Sequence, residues 1–184
     1  ERFRKRYLDL AVNETVFRRF LARSRIVSGI RSFLDGRGFM EVETPVLQTL
    51  YGGAAAKPFK TKLDILRLDL YLRIAPELYL KRLLVGGFEK VYELGRVFRN
   101  EGIDREHNPE FTMLELYWAY QTREGLMDFV EELVSEAVQY ALVKKGKNVI
   151  VYQDKEISLA RPWSRKSFSD VLKDAVGMGW EAAE

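Results

Sequence analysis

Residues 98–117 concentrate ionisable side chains between two apolar runs and read FRNEGIDREHNPEFTMLELY. The segment contains His107, the only histidine of the chain, and it carries Glu115 between two leucines. A buried charge is costly unless a partner of opposite sign neutralises it, so a carboxylate on such a strand calls for a partner. Arg99 beside Glu101 is compatible with an ordinary structural ion pair as well as with a binding site.

Strand geometry groups these side chains, because successive residues of a strand point to opposite faces. On the return strand, 111–120, one face is a packing face that carries Thr112, Leu114, Leu116, Trp118 and Tyr120. The other face places a carboxylate and a phenol among apolar neighbours. If this face coincides with that of Arg99 on the outgoing strand, one concave surface is lined by Arg99, Glu101, Phe111, Glu115 and Tyr117.

Three further features are compatible with a ligand site, each with a simpler alternative. The loop 102–110 is longer than a hairpin needs, and long loops are often functional. The GGAAA segment at 52–56 permits close approach of a small ligand to the backbone, but it also forms a plain flexible turn. Glu77 lies in the first turn of a predicted helix, where the helix dipole favours a carboxylate whatever its function. His107 alone is as compatible with an ordinary polar role as with ligand binding.

Composition excludes several classes of protein. The chain has no cysteine and one histidine, which excludes disulfide scaffolds, thiolate metal sites and multi-histidine metal sites. Neither a P-loop nor a dinucleotide-binding glycine motif after a strand is present. The net charge of +3 permits a nucleic-acid partner without requiring one. No apolar run reaches the length of a membrane span and the start lacks a signal core, so we predict a soluble, cytoplasmic protein with no membrane partner.

The elements that must position these residues follow from apolar periodicity and from turn residues. A chain of 184 residues favours one domain with a full core. Strands and helices mix without a regular βαβ rhythm, which predicts an α+β fold with an antiparallel sheet. Helices are predicted over 13–35, 76–85 and 122–141 and from 167, strands over 38–45, 59–61, 66–74, 91–99 and 111–120, and a hairpin over 149–159.

Taken together, these segments resemble the class II aminoacyl-tRNA synthetases. The first helix with GFMEVETPVLQ resembles motif 1, over about 18–45. The segment FRNEGIDREHNPEFTMLELY resembles motif 2, over about 91–120. GGAAAKPF and LYLRIAPELYLKRLLVGGFEKVYELGRVFRNEG are similar to the lysine-specific members of the class. The resemblance implies an antiparallel sheet flanked by helices, of which residues 1–184 form part of a catalytic domain. It also implies a homodimer through motif 1, with Pro45 at the interface.

The resemblance further implies a lysine–tRNA ligase activity. Lysine and ATP give lysyl-adenylate and pyrophosphate, and the lysyl group then passes to the terminal ribose of tRNA(Lys). Magnesium is expected, with its ligands beyond residue 184 and none in this chain. Arg99 is the implied catalytic residue, gripping the α-phosphate and the lysine carboxylate. The implied ATP-binding residues are Arg99, Glu101, His107, Asn108 and Phe111. The implied lysine-binding residues are Gly53, Glu77, Arg99, Glu115 and Tyr117.

These implied roles agree with the chemistry of the side chains. Phe111 would stack on adenine, and Glu77 would hold the α-ammonium of lysine. The planar guanidinium of Arg99 suits two-point contact with an anion and offsets the charge that develops on the phosphoryl oxygens. Glu115 would find its cation in the ε-ammonium of lysine, with Tyr117 beside it. A neutral analogue leaves that carboxylate unpaired, which provides selectivity.

Alternatives stay open, because neither the glycine-rich motif 3 nor an anticodon-binding domain is recognisable in the sequence. The chain is therefore expected to be the front half of a catalytic domain, and its activity alone is undetermined. An aspartate- or asparagine-type synthetase is disfavoured by Glu115 and GGAAA, since those enzymes need a cation for the substrate side chain. A paralogue that lysylates a protein is disfavoured by GGAAAKPF. A non-catalytic fragment that dimerises or binds a ligand is favoured by the missing motif 3.

Overall fold

The computed structural model describes residues 4–141 and 149–177, and the chain divides into two compact units. One unit is Ser28–Leu126, and the other combines Glu1–Val27 with Met127–Glu184. The helices are α1 (Arg6–Val12), α2 (Glu14–Gly36), α3 (Glu77–Val85), α4 (Arg123–Ala141) and α5 (Phe168–Val176). The strands are β1 (Met40–Glu41), β2 (Leu47–Gln48), β3 (Lys60–Leu63), β4 (Leu68–Leu72), β5 (Lys90–Phe98), β6 (Glu110–Trp118), β7 (Val149–Tyr152) and β8 (Lys155–Ser158).

The unit Ser28–Leu126 contains two small sheets, which confirms the predicted α+β class. In one sheet the strand order is β1-β5-β6, and in the other it is β2-β4-β3. The β5–β6 pair is antiparallel along its whole length, from Lys90 opposite Trp118 to Phe98 opposite Glu110. The short β1 strand instead pairs with β5 in parallel. A long crossover separates β1 from β5, and parallel neighbours require such a connection.

Some predicted boundaries are wrong. The first strand is limited to Met40–Glu41 instead of 38–45. The strand expected from residue 66 begins at Leu68, because Asp64–Leu66 form a 3-10 turn and Arg67 adopts a left-handed backbone, with φ 51°. The return strand ends at Trp118 rather than residue 120. Tyr120 has φ 63° and an exposure of 94%, so the chain leaves the sheet before it.

Helices cover both faces of the β5–β6 hairpin. On one face, the fully buried Tyr92 donates its hydroxyl to Asp35 at 2.9 Å and to Glu41 at 3.2 Å, which ties β5 to the end of α2 and to β1. On the other face, α3 lies near the strands with its fully buried Leu80. The Lys81 ammonium is 5.9 Å from the ring centre of Tyr117, so α3 lies on the face that carries Glu115.

The second unit is stabilised by buried polar groups. The buried carboxylate of Asp9 accepts hydrogen bonds from Arg6 at 2.6 Å and from Asn13 at 2.7 Å. The β7–β8 hairpin and α5 form as predicted. Ser167 caps α5 by accepting the backbone N–H of Asp170 at 3.1 Å.

Within the described residues, no helix combines the length and apolar character that crossing a membrane requires.

Candidate functional site

Arg99 and Phe111 define one end of the site. Val97 lies directly opposite Phe111 in the β5–β6 ladder, so Arg99, two residues after Val97, belongs to the same face as Phe111. The Arg99 guanidinium carbon is 5.2 Å from the centre of the Phe111 ring, within cation–π range. The buried Nε of Arg99 has no hydrogen-bond partner among the described residues. A buried donor without a partner is costly, so this guanidinium is suited to an anionic ligand.

A cleft of about 280 Å³ opens at this end of the hairpin. The backbone N–H of Arg99 donates to the carbonyl of Pro109 at 2.8 Å, which closes the base of the loop, and that of Asn100 donates to Lys57 at 2.8 Å. The cleft is lined by Arg99, Glu101, Gly102, Glu106, His107, Asn108 and Phe111. All five residues expected to bind ATP therefore lie around this one opening.

Asp104 organises the tip of this loop. Its carboxylate accepts the backbone N–H groups of Glu106 and His107, both at 2.7 Å, and lies 2.7 Å from Nδ1 of His107. The hydrogen bond to Asp104, together with its charge, raises the pKa of His107, so the imidazole keeps its proton to a higher pH. The same contacts lower the pKa of Asp104, beginning with the backbone N–H of Glu106.

Glu115 and Tyr117 define the other end of the same face. The Tyr117 hydroxyl donates to Glu115 at 3.0 Å, and both side chains are half-buried. Burial raises the pKa of Glu115 and the Tyr117 hydrogen bond opposes this; the charge of Glu77 raises the pKa further, that of Lys81 lowers it, and that of Glu93 raises it. Burial and the bond to Glu115 also raise the pKa of Tyr117. Among the described residues, no cation forms an ion pair with Glu115, although the charge of Lys81 acts on it.

Gly53 and Glu77 come together next to this pocket. Gly53 has φ +87°, and a Cβ built on it would lie 2.8 Å from Cβ of Glu77. The glycine therefore allows the 52–56 turn to approach the first turn of α3. Lys81 pairs with Glu77 one helical turn along. The charges of both Glu77 and Lys81 act on Glu115, so the first turn of α3 lies close to this end of the hairpin face.

One predicted residue lies elsewhere than expected. Glu101 is not on the strand, because the β5–β6 ladder ends at Phe98; it is exposed and reaches the cleft from the loop. Pro45, predicted at a dimer interface, is exposed. Across residues 4–141 and 149–177, no cluster of three acidic or histidine side chains could hold a metal ion.

Sequence reasoning missed a buried ion pair on this face. Arg73 and Glu93 are 3% and 4% exposed and pair with each other, and Glu93 lies directly opposite Glu115. The signal in the sequence is a second acidic residue in β5, on the face already identified from β6. That Glu93 lies opposite Glu115 follows only from the register of the two strands, which the sequence did not reveal.

Curated relatives and a family model cover nearly the whole chain. A family model described as tRNA synthetases class II (D, K and N) matches residues 1–183. A lysine–tRNA ligase of Pelotomaculum thermopropionicum is 56% identical over 181 residues, which are 98% of this chain and 35% of the relative. One from Thermoanaerobacter sp. is 55% identical over 177 residues, 96% of this chain and 35% of the relative. One from Rhizobium meliloti is 54% identical over 182 residues, 98% of this chain and 36% of the relative.

The chain thus spans little more than a third of the length of these relatives, at 35% to 36%. The match nevertheless includes both ends of the site described above, since it runs from residue 1 to residue 183. On this evidence, the chain belongs to the class II tRNA synthetase family whose model covers the D, K and N enzymes.

Proposed function

We propose that the protein carrying this chain is a lysine–tRNA ligase and that this chain supplies binding groups for ATP and lysine. Lysine and ATP react to give lysyl-adenylate and pyrophosphate, and the lysyl group then passes to the terminal ribose of tRNA(Lys). The names of relatives at 54% and 56% identity support the substrate. The aspartate and asparagine enzymes of the family are disfavoured as alternatives, because their pockets need a cation.

One observation carries the proposal. A single face of the β5–β6 hairpin has an arginine without a hydrogen-bond partner for its buried Nε at one end, and a half-buried glutamate without an ion pair at the other. An amino acid with a terminal amine, joined to a nucleotide phosphate, matches this order of charges. The two unsatisfied groups are then satisfied by the two halves of one reaction intermediate.

In the proposed activation step, Arg99 contacts the α-phosphate of ATP and the carboxylate of lysine. The carboxylate oxygen attacks the α-phosphorus, and the bond to the bridging oxygen breaks, which releases pyrophosphate. Arg99 offsets the repulsion between the two anions and the charge that develops on the phosphoryl oxygens. Phe111 stacks on adenine, Glu101 and the loop at Asn108 contact its amino group, and His107 faces the outer phosphates.

Lysine lies along the anionic part of the same face in this proposal. Glu77, with Gly53 close by, receives the α-ammonium, and Glu115 with Tyr117 receives the ε-ammonium. Fixed orientation of the two reacting groups accounts for much of the rate gain in such reactions. A side chain without the terminal amine leaves Glu115 desolvated and unpaired, which disfavours it.

Magnesium, dimerisation and cytoplasmic location complete the proposal. The ligands of Mg²⁺ are proposed to lie outside this chain, as the resemblance implies, and no step above passes through a metal. Exposed apolar residues follow Pro45, with Val46 39% and Leu47 50% exposed, which supports a homodimer through this segment. A role in translation on tRNA supports a cytoplasmic location.

Amino-acid-dependent exchange of pyrophosphate into ATP tests the proposal directly. The protein at its natural length is assayed with lysine, aspartate and asparagine separately. We expect exchange with lysine alone, followed by transfer of labelled lysine to tRNA(Lys). Exchange with aspartate but not lysine would overturn the substrate, transfer to protein in place of tRNA would overturn the acceptor, and exchange with none would leave a non-catalytic binding role.

A further inference from the structure

The lysine pocket contains two carboxylates directly across from each other. Glu93 of β5 is the register partner of Glu115 of β6, so both side chains belong to the same face. Directly opposed residues on antiparallel strands have Cβ atoms roughly 4.5–5.5 Å apart, and like charges at that separation repel. A pocket with two ionised glutamates so close would favour protonation of one of them.

Arg73 removes this conflict. It follows β4 directly, is 3% exposed, and pairs with Oε1 of Glu93. Its Nε donates to the carbonyl of Arg96 at 2.8 Å, which holds the guanidinium against β5. A Cβ added to Gly95 would lie 2.5 Å from Nη2 of Arg73, so the absence of a side chain at Gly95 makes room for the guanidinium.

The second oxygen of Glu93 is also occupied. Oε2 accepts the hydroxyl of Thr44 at 2.6 Å and the backbone N–H of Thr44 at 3.2 Å. Both oxygens of Glu93 therefore have partners within the protein, whereas Glu115 has only the hydroxyl of Tyr117. Of the two opposed carboxylates, Glu115 is the one available to an amine.

The charges of the described groups around Glu115 nearly cancel. From α3 come Glu77 and Lys81, which pair with each other, and from β5 comes Glu93, paired with Arg73. The remaining titratable neighbour is Tyr117 on β6 itself. Two ion pairs cancel, so the pocket keeps one net negative charge, that of Glu115. Lysine carries one net positive charge, with two ammonium groups and one carboxylate.

We propose that Arg73 is a positioning residue for amino-acid selection: it pairs with Glu93, so that of the two opposed carboxylates only Glu115 is left available to the substrate's terminal amine. The inference rests on the proposed function, because it takes Glu115 to be the group that receives this amine. Arg73 itself contacts no substrate. It acts through the charge state of Glu115.

The test compares the pH dependence of the lysine KM in three variants of the full-length protein. Arg73→Met leaves Glu93 unpaired beside Glu115, so the midpoint at which lysine affinity develops moves up by about one pH unit or more. Glu93→Gln leaves the Arg73 guanidinium without its carboxylate partner. This guanidinium lies next to Gly95, and Glu115 lies diagonally across the strands from Gly95, within reach of a long side chain. The midpoint then moves down, and the lysine KM at neutral pH rises about tenfold. The double variant Arg73→Met/Glu93→Gln returns the midpoint towards wild type.

The opposite signs distinguish an electrostatic role from a structural one. Thermal unfolding checks that each variant is folded; if Arg73→Met does not fold, Glu93→Gln and the double variant decide. Midpoints that shift in the same direction, or not at all, in folded variants overturn the inference. Glu115→Gln distinguishes failure of the proposed function from failure of the inference about Arg73. If Glu115→Gln leaves the lysine KM unchanged, the proposed function fails. If it weakens lysine binding but the other variants show no opposed shifts of the midpoint, only the inference fails.

Discussion

At the scale of single residues, the site is marked by charged groups that the described protein does not satisfy. The buried Nε of Arg99 lacks a hydrogen-bond partner, and Glu115 lacks an ion pair. Elsewhere on the same face, Glu93 has partners for both oxygens, so unsatisfied groups are not the rule there. A protein tolerates such groups where a substrate satisfies them, because their desolvation then contributes to selectivity.

Replacing Glu115 with Gln should weaken lysine binding and leave ATP binding nearly unchanged. A charge-assisted contact in a half-buried site corresponds to a rise in the lysine KM of roughly 10- to 100-fold. Because burial raises the pKa of Glu115, wild-type lysine affinity should fall as the pH drops through that pKa, and Glu115→Gln should lose this dependence. Steady-state exchange kinetics between pH 5.5 and 8.5 measure both effects.

The control for that change is Glu110→Gln, at an exposed carboxylate of β6 on the opposite face, which pairs with Arg96 at 3.5 Å. It should alter neither KM. Equal losses of lysine and ATP affinity in Glu115→Gln would contradict its assigned role.

Replacing Arg99 with Lys should reduce the activation step while preserving the charge. The lysine ammonium cannot reproduce the planar two-point contact with phosphoryl and carboxylate oxygens, so kcat for exchange should fall about 100-fold or more. Arg96→Lys is the matched control, since Arg96 is exposed and lies on the other face of β5. Comparable losses in both variants would argue against a specific role for Arg99.

At the scale of elements, the register of the β5–β6 hairpin brings the two ends of the site together. Phe111 and Glu115 are four residues apart on one strand, so they share a face whatever the partner strand does. Arg99, one residue beyond the ladder, lies over the Phe111 ring on that face. The turn at 52–56 and the first turn of α3 meet near the Glu115 end, where Gly53 approaches Glu77.

Replacing Gly53 with Ala should disturb this closure. The added Cβ would meet Glu77 Cβ at 2.8 Å on a backbone with φ +87°. A left-handed backbone costs an L-residue about 1–2 kcal/mol, so the turn should move and displace Glu77. We expect the lysine KM to rise about tenfold, since 1.4 kcal/mol corresponds to a factor of ten. The ATP KM should change little.

Gly36→Ala is the control for Gly53→Ala, because a Cβ there meets no atom within 4 Å and its φ is not positive. It should leave both KM values unchanged. A Gly53→Ala protein with wild-type lysine kinetics would show that the close approach to Glu77 has no role in substrate binding.

At the scale of the whole molecule, apolar side chains after motif 1 are exposed. Val46, Leu47 and Leu50, which lie shortly after Pro45, are 39%, 50% and 72% exposed. Thr44, the residue before Pro45, holds Glu93 in the pocket. A homodimer through this segment would therefore bear on the residues that hold the lysine site.

Charge introduced into this segment should prevent the proposed homodimer from forming. Val46→Asp/Leu50→Asp is expected to sediment as a monomer at protein concentrations where the wild type sediments as a dimer, because an interface core excludes unpaired charge. Ile65→Asp is the control, since Ile65 is 87% exposed in the 3-10 turn between β3 and β4. A wild-type monomer at all concentrations would remove the basis for the interface.

Much of the fold could be predicted from local chemistry. Thr122, Ser167 and the glycines after α3 are helix boundary signals that act within a few residues, and Thr122 indeed accepts the backbone N–H of Gly125 at 3.1 Å. Errors arose where ladder partners decide the boundary, as at Trp118 and Tyr120. A strand ends where its neighbour ends, and the neighbour is far away in sequence.

The sequence by itself grouped Phe111 and Glu115 on one face through the alternation of one strand, and its resemblance to the class II synthetases implied their roles and that of Arg99. Only the tertiary structure decided that Glu93 faces Glu115 and that Arg73, from another sheet, neutralises it. Side-chain alternation is a property of a single strand, whereas register and charge compensation depend on which distant segments pack together. The pattern of one strand therefore predicts which side chains share a face, and packing determines which of two adjacent carboxylates is left without an ion-pair partner in the protein.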